Sequence, residues 1–288
     1  MRYFVVTGVA LALLATATLT PHSAYAADPG SAGVVEFEMM TWPEVKDALA
    51  AGKTTALIYT GGVEQRGPQN INGGHNIMGR AIVKEIALRL GNAIAMPVLP
   101  LTPNNASADL PGTIGLTSDL LEKVLQRMVE QSITTGFRNV VVMGDHGGGQ
   151  GAGDSNVYRK VATEMDARYS ASGVHVFYCD QVYAPANAAT EDKLAAQGYP
   201  RAMHGGIHDT SIMMYLDHDG TYVRKSLLPT AVGIPVGADG KPQPAADSPK
   251  NGIVGDARRA SAAIGKQAFE TKVDFAVKQI QAFIPTKK

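Results

Sequence analysis

Three stretches of this sequence combine glycines with side chains that can hold a cation or carry a proton. Thr60 to His75 contains a carboxylate, Glu64, a guanidinium, Arg66, and an imidazole, His75. Gly144 to Asp154 sets Asp145 and His146 among glycines, and Met203 to Ser211 carries His204, His208 and Asp209. Mixed imidazoles and carboxylates are the ligands of zinc and its neighbours, and histidine is also the commonest general acid or base near neutral pH. Each group has a plainer reading. Glu64 alone is a loop glutamate of a common kind. His75 stands where loop becomes helix and can bond locally there. His146 is the least ordinary, because the glycines around it let backbone crowd close to a ligand. Those glycines are a poor phosphate cradle, since no Lys-Ser or Lys-Thr pair follows and Asp145 and Asp154 would repel phosphate. His204 and His208 share a helix face only if the helix already begins at His204. Asp209 precedes a very apolar run, and its spacing leaves helix cap and metal ligand equally open. His175 alternates within a strand pattern and reads as a core histidine, His218 as a solvated residue at a helix end, and Cys179 as a small buried hydrophobe rather than a nucleophile.

The elements that must position these groups alternate along the chain. Residues 54–59 and 139–143 are apolar and predict strands that run into the Glu64 and His146 loops. Residues 93–101 and 174–179 predict two more, the first interrupted by Pro97 and Pro100. Thr41-Trp-Pro-Glu44 is a capping box opening a helix to Ala51. Helical spacing continues over 76–90, 117–135 and 154–169, over a short piece at 191–197, and in a closing helix from 261 to 283. Residues 102–113 form a polar loop fit to wall a pocket, and 228–256, rich in Pro, Gly, Ala and Asp, read as a surface excursion. The alternation implies an α/β fold of three layers, a mainly parallel sheet flanked by helices, in a single domain over 27–288.

Acidic and basic side chains balance at 26 each, so a nucleic-acid role has no electrostatic support. Val5 to Leu19 is apolar, Arg2 is the only charge before Asp28, and Ala24-Tyr-Ala26 fits a small-x-small cleavage rule. Residues 1–26 therefore read as a signal peptide. The mature chain is expected to be exported, periplasmic or secreted, with no membrane association after cleavage. A transmembrane anchor is the weaker reading, because the apolar core is short. With Cys179 as its only cysteine the chain cannot form an internal disulfide, so packing must stabilise it, with a metal as a further source.

Taken together the motifs resemble the creatininase family, the creatinine amidohydrolases. The anchors are Thr41 to Val45, Gly62 to Pro68, Leu110 to Leu116, Asp145 to Gly148, His204 to Ser211 and Gly252 to Ser261. The resemblance spans about Met40 to Phe269. It implies a three-layer α/β fold, homo-oligomeric assembly, one or two divalent metals, and hydrolysis of C–N bonds in cyclic or small amides. It places metal ligands at Glu64, His146 and Asp209 and an acid/base at His204. A family histidine ligand falls on Arg66, and the carboxylate that bridges two metals falls at or near His75. Those departures argue for one metal held by Glu64, His75, His146 and Asp209, zinc in the first place, with manganese or iron as other choices. Arg66 joins His204 as a catalytic candidate, holding an anionic group or developing oxyanion. Asp145 and His208, beside ligand positions, are assigned to the small-molecule substrate. The changed residues at 66 and 75 also motivate a different class of function, a non-catalytic exported binding protein on the same fold.

Overall fold

The computed structural model describes residues 33–104 and 108–284; the expected signal peptide lies outside the described residues. The chain forms β1 (Thr55–Thr60), β2 (Ala93–Ala95), β3 (Asn139–Gly144) and β4 (His175–Tyr178). They make one all-parallel sheet in the order β2-β1-β3-β4. Register is continuous across the central pair, from Thr55 opposite Asn139 to Thr60 opposite Gly144.

Parallel strands need crossover connections, and helices supply them. The helices are α1 (Trp42–Ala50), α2 (Gly74–Leu90), α3 (Ser118–Thr135), α4 (Val157–Tyr169), α5 (Ala184–Ala196), α6 (Ile207–Leu216) and α7 (Ala262–Phe283). Alternate residues of each strand face opposite layers. Leu57, Tyr59, Val141 and Met143 pack with α2, α6 and α7, whereas Ala56, Ile58, Val140 and Val142 pack with α3 and α4. Burial on both faces explains why β1 and β3 read as unbroken apolar runs.

Local signals act as their chemistry requires. The Thr41 amide donates to Glu44 Oε2 at 2.6 Å in the capping box of α1. Asn156 caps α4 by accepting from the Arg159 amide at 2.9 Å. Gly91, at φ 75°, closes α2 in the left-handed region that favours glycine.

Several expectations change. Strand β2 stops at Ala95, before Pro97, where the ladder loses a donor. The helix expected at 191–197 begins at Ala184, with Pro185 in its first turn. His175 lies on the outward side of edge strand β4 and pairs with Asp166 at 3.3 Å, so it is exposed rather than core. Helix α6 begins only at Ile207, so His204 is outside it and the four-residue spacing to His208 does not set both on one helix face. The excursion at 228–256 is partly folded. Val232 pairs with Asp256 and Ile234 with Val254, and its inner side walls the cavity described below. Among the described residues no helix is long and apolar enough to cross a membrane.

Strand order reverses between β1 and β3, since β2 lies on one side of β1 and β4 on the other side of β3. Loops leaving the carboxyl ends of such a pair diverge and open a crevice. The Glu64 loop follows β1 and the His146 loop follows β3.

Candidate metal centre

Glu64 stands at the centre of this crevice and is 3% exposed. Its loop is held by the Glu64 amide donating to Asn72 O at 3.0 Å and the Gly62 amide donating to Asn76 Oδ1 at 2.9 Å. Glu64 Oε1 lies 2.7 Å from His75 Nε2, at the start of α2, and Oε2 lies 3.0 Å from His146 Nε2, just past β3. One ligand atom from each of the three residues fits within 4.8 Å of the other two. These are the three sequence candidates that the fold brings together as a donor set.

The groups behind the ligands fit a metal as well. His75 Nδ1 lies 3.2 Å from Asp145 Oδ2, and Lys272 Nζ donates to Asp145 Oδ1 at 2.8 Å. A carboxylate behind a histidine fixes its ring and tautomer for ligation. His146 Nδ1 lies 3.0 Å from Thr102 Oγ1, whose own hydrogen goes to Gly61 O at 3.1 Å. The Gly148 amide donates to the same Nδ1 at 2.8 Å, which makes Nδ1 an acceptor and puts the ring proton on Nε2, toward Glu64 Oε2. An ion taking Nε2 would move that proton to Nδ1, where Thr102 Oγ1 can accept it.

Charge at the site is arranged around a cation. Burial opposes ionisation of Glu64, but hydrogen bonds from His146 and His75 hold its carboxyl far below the usual range. Burial and the nearby Arg66 charge both disfavour the charged form of His75, yet Asp145 and Glu64 outweigh them and raise its pKa. His146, where burial prevails, is lowered. Two carboxylates converging on one imidazole ask for a proton or a metal between them.

The remaining candidates lie outside this donor set, though His204, His208 and Asp209 line the same cavity. Asp209 is neither cap nor part of the donor set. Its Oδ1 pairs with Arg66 Nη2 at 2.8 Å, and its Oδ2 accepts from the Gly205 amide at 2.9 Å. Arg66 is fully buried and does not line the cavity, which removes it from contact with substrate. Gly74 makes room for the guanidinium, because a Cβ there would overlap Nη1. Asp145 also lies off the cavity wall, behind His75, and supports a ligand instead of touching substrate. His208 does reach the cavity, but Nδ1 is 2.6 Å from Glu191 Oε1 and Nε2 is 3.3 Å from Asp209 Oδ1, so both ring nitrogens are engaged. His204 lines the cavity, its Nε2 donates to Gln65 O at 2.6 Å, and its Nδ1 faces Glu64 Oε1 at 3.5 Å. Anchoring Nε2–H on a carbonyl leaves the Nδ1 lone pair turned to the ligand cluster.

Two supporting residues escaped the sequence reading. Lys272 sits within the buried stripe of α7, three residues after Phe269 and four before Ala276; a lysine at such a position signals a buried partner. Glu191 had no comparable cue, because α5 is alanine-rich and shows no apolar stripe.

The family model described as creatininase, creatinine amidohydrolase, matches residues 38–280. A creatinine amidohydrolase of Pseudomonas putida is 25% identical over 200 residues, covering 62% of this chain and 71% of that protein. A crystal structure of creatinine amidohydrolase superposes with a TM-score of 0.69 at 21% identity, covering 88% of this chain and 99% of that one. A manganese creatininase gives 0.68 at 21% identity, and a zinc–zinc form of a creatininase variant 0.67 at 22%; each covers 88% of this chain, and they are covered over 100% and 99% of their own lengths. At these identities the structures establish the shared fold. The family match spans nearly all the described residues, and on it the chain belongs to the creatininase family.

Proposed function

We propose that this chain is an exported, metal-dependent hydrolase that opens the C–N bond of a small or cyclic amide with water. The observation that carries the reading is the convergence of Glu64, His75 and His146, with His204 Nδ1 turned toward the same carboxylate. When bound there, a divalent ion supplies a Lewis acid and a water of lowered pKa. Zinc suits two imidazoles and a carboxylate, with manganese or iron as other choices, and the zinc and manganese forms among similar structures support that preference.

The chain's own residues do the rest. Asp145, kept ionised by Lys272, orients His75. Thr102 orients His146. His204 Nδ1 takes a proton from the attacking water and delivers it to the departing nitrogen. A C–O bond forms, the C–N bond breaks, and the products are a carboxylate and an amine. Arg66 supplies a fixed positive charge beside the cluster, paired with Asp209, and a single ion is the stoichiometry this favours. Export rests on the leader-like residues 1–26, and an exported product beginning at Ala27 is the result expected from N-terminal sequencing.

The test is metal content per chain by elemental analysis, on mature protein purified without a histidine tag, beside a Glu64→Ala/His146→Ala variant. One tightly held ion, lost in the variant, is the expected result. Two ions would refute the one-metal reading. No ion after soaking in zinc and manganese would refute the hydrolase and favour a binding protein.

A further inference from the structure

The cavity over the metal centre measures about 1060 Å³. Pockets of about 300–1,000 Å³ hold whole drug-sized ligands, so this one exceeds what a small ring amide needs. Its floor is polar, with Glu64, His75, His146 and His204. Its facing wall is mainly apolar, with Ser248 and Lys250 its polar members. Ile234, Val236, Pro242, Pro244, Ile253 and Val254 line it, all from the arm between Ala231 and Ala257. The arm is shaped by its own backbone: Ile234 pairs with Val254, Val236 pairs with Pro242, and the Gln243 amide donates to Pro235 O at 2.8 Å. Met203, 43% exposed and adjacent to His204, extends the apolar surface down to the floor. Apolar wall and polar floor therefore belong to one continuous cavity, and apolar surface held open to water gains free energy when a ligand covers it.

We propose that the substrate is a small-molecule amide bearing a bulky apolar limb, its C–N bond over Glu64 and His146 and its limb along the Ile234, Val236 and Pro242 wall. This rests on the hydrolase reading above and names its substrate class. Water adds its oxygen to the carbonyl carbon, the C–N bond breaks, and the proton released from water ends on the amine, so that one product keeps the limb.

The test uses the zinc-loaded full mature chain and two series of amides. One lengthens the acyl side, from N-formylglycine to N-decanoylglycine. The other lengthens the amine side, from N-methylacetamide to N-decylacetamide. In at least one series kcat/KM should climb about fourfold per methylene over several methylenes. Val236→Asp should flatten that climb. Pro244→Asp, at an exposed position of the arm, gives the same test if the first variant misfolds. Short amides hydrolysed at rates that stay level or fall with length in both series would overturn the limb and leave the hydrolase standing. If no member is hydrolysed, calorimetric titration with the two longest decides. Binding that tightens with length and is lost in the variants keeps the apolar-limb site while the hydrolase fails. Binding indifferent to length, or none, overturns both.

Discussion

Replacing Lys272 by methionine tests how the metal centre is held in shape. Lys272 Nζ lies 2.8 Å from Asp145 Oδ1, with side chains 4% and 1% exposed. Burial alone would push the Asp145 carboxyl up; Lys272, then His75, hold it down at about 2. Removing the lysine leaves a carboxylate charge in the interior, and breaking a buried pair from one side costs about 3–5 kcal/mol. For a domain of this size that lowers the melting temperature by roughly 6–20 °C. Lys272→Met/Asp145→Asn removes both charges and should recover much of the loss, so the two changes couple instead of adding, with an interaction of about 0.5–3 kcal/mol. The double variant should still bind metal about 10–100-fold more weakly, because His75 has lost the carboxylate behind it. Thermal unfolding followed by circular dichroism gives the first quantity, and competition with a chelator gives the second. A single variant that loses under about 1 kcal/mol, or a double variant whose loss is the sum of the two singles, would refute the reasoning.

Three further outcomes follow from buried groups elsewhere. Arg66→Met should destabilise the fold by about 3–5 kcal/mol, since Asp209 loses its paired cation, while elemental analysis finds the metal content unchanged; loss of the metal would show that Arg66 helps to hold it. Burial works against a charge on His208, but Asp209 and Glu191 outweigh it and raise its pKa above 6.5. Protonated His208 therefore adds stability that is fully present below 6.5 and lost as pH rises through the folded value, so His208→Asn should cost more at about pH 6 than at about pH 9 in urea unfolding, and an equal cost would contradict it. Burial pushes the Cys179 thiol up to about 12, so iodoacetamide should leave the native protein unlabelled and alkylate it only in denaturant, as mass spectrometry can show.

Much of this architecture was legible because it is local. Val140 to Met143 and Ala56 to Tyr59 are apolar runs of strand length, and the capping box at Thr41 marks its own helix. The ligand loops were legible because glycines and histidines beside a strand end are uncommon without a purpose. The roles of Arg66, Asp145 and Asp209 were not legible, because each depends on a partner far away in the chain. Asp145 meets a lysine 127 residues on, and Arg66 meets Asp209 across the site. Period and spacing carry no information about such pairs. His175 shows a related limit. Its alternation was readable, but which face an edge strand turns to solvent is decided by neighbouring helices, and here Asp166 of α4 receives it.

The arm between Ala231 and Ala257 closes on itself. Gly233 donates to Gly255, Ile234 to Ile253 and Ala257 to Ala231, while the backbone link to the His204 loop is made through Val254, with Met203 and His204. No strand of the sheet runs through it. On the substrate reading proposed above, specificity would reside in a cassette beside the metal-ligand loops. Insertions or deletions would be borne by its outer turns, while Gly252 and Ile253, packed on Gln65 and Gly67 of the Glu64 loop, are the part that must be kept. If the arm sets specificity as proposed, its outer turns are where a lineage or an engineer could exchange it.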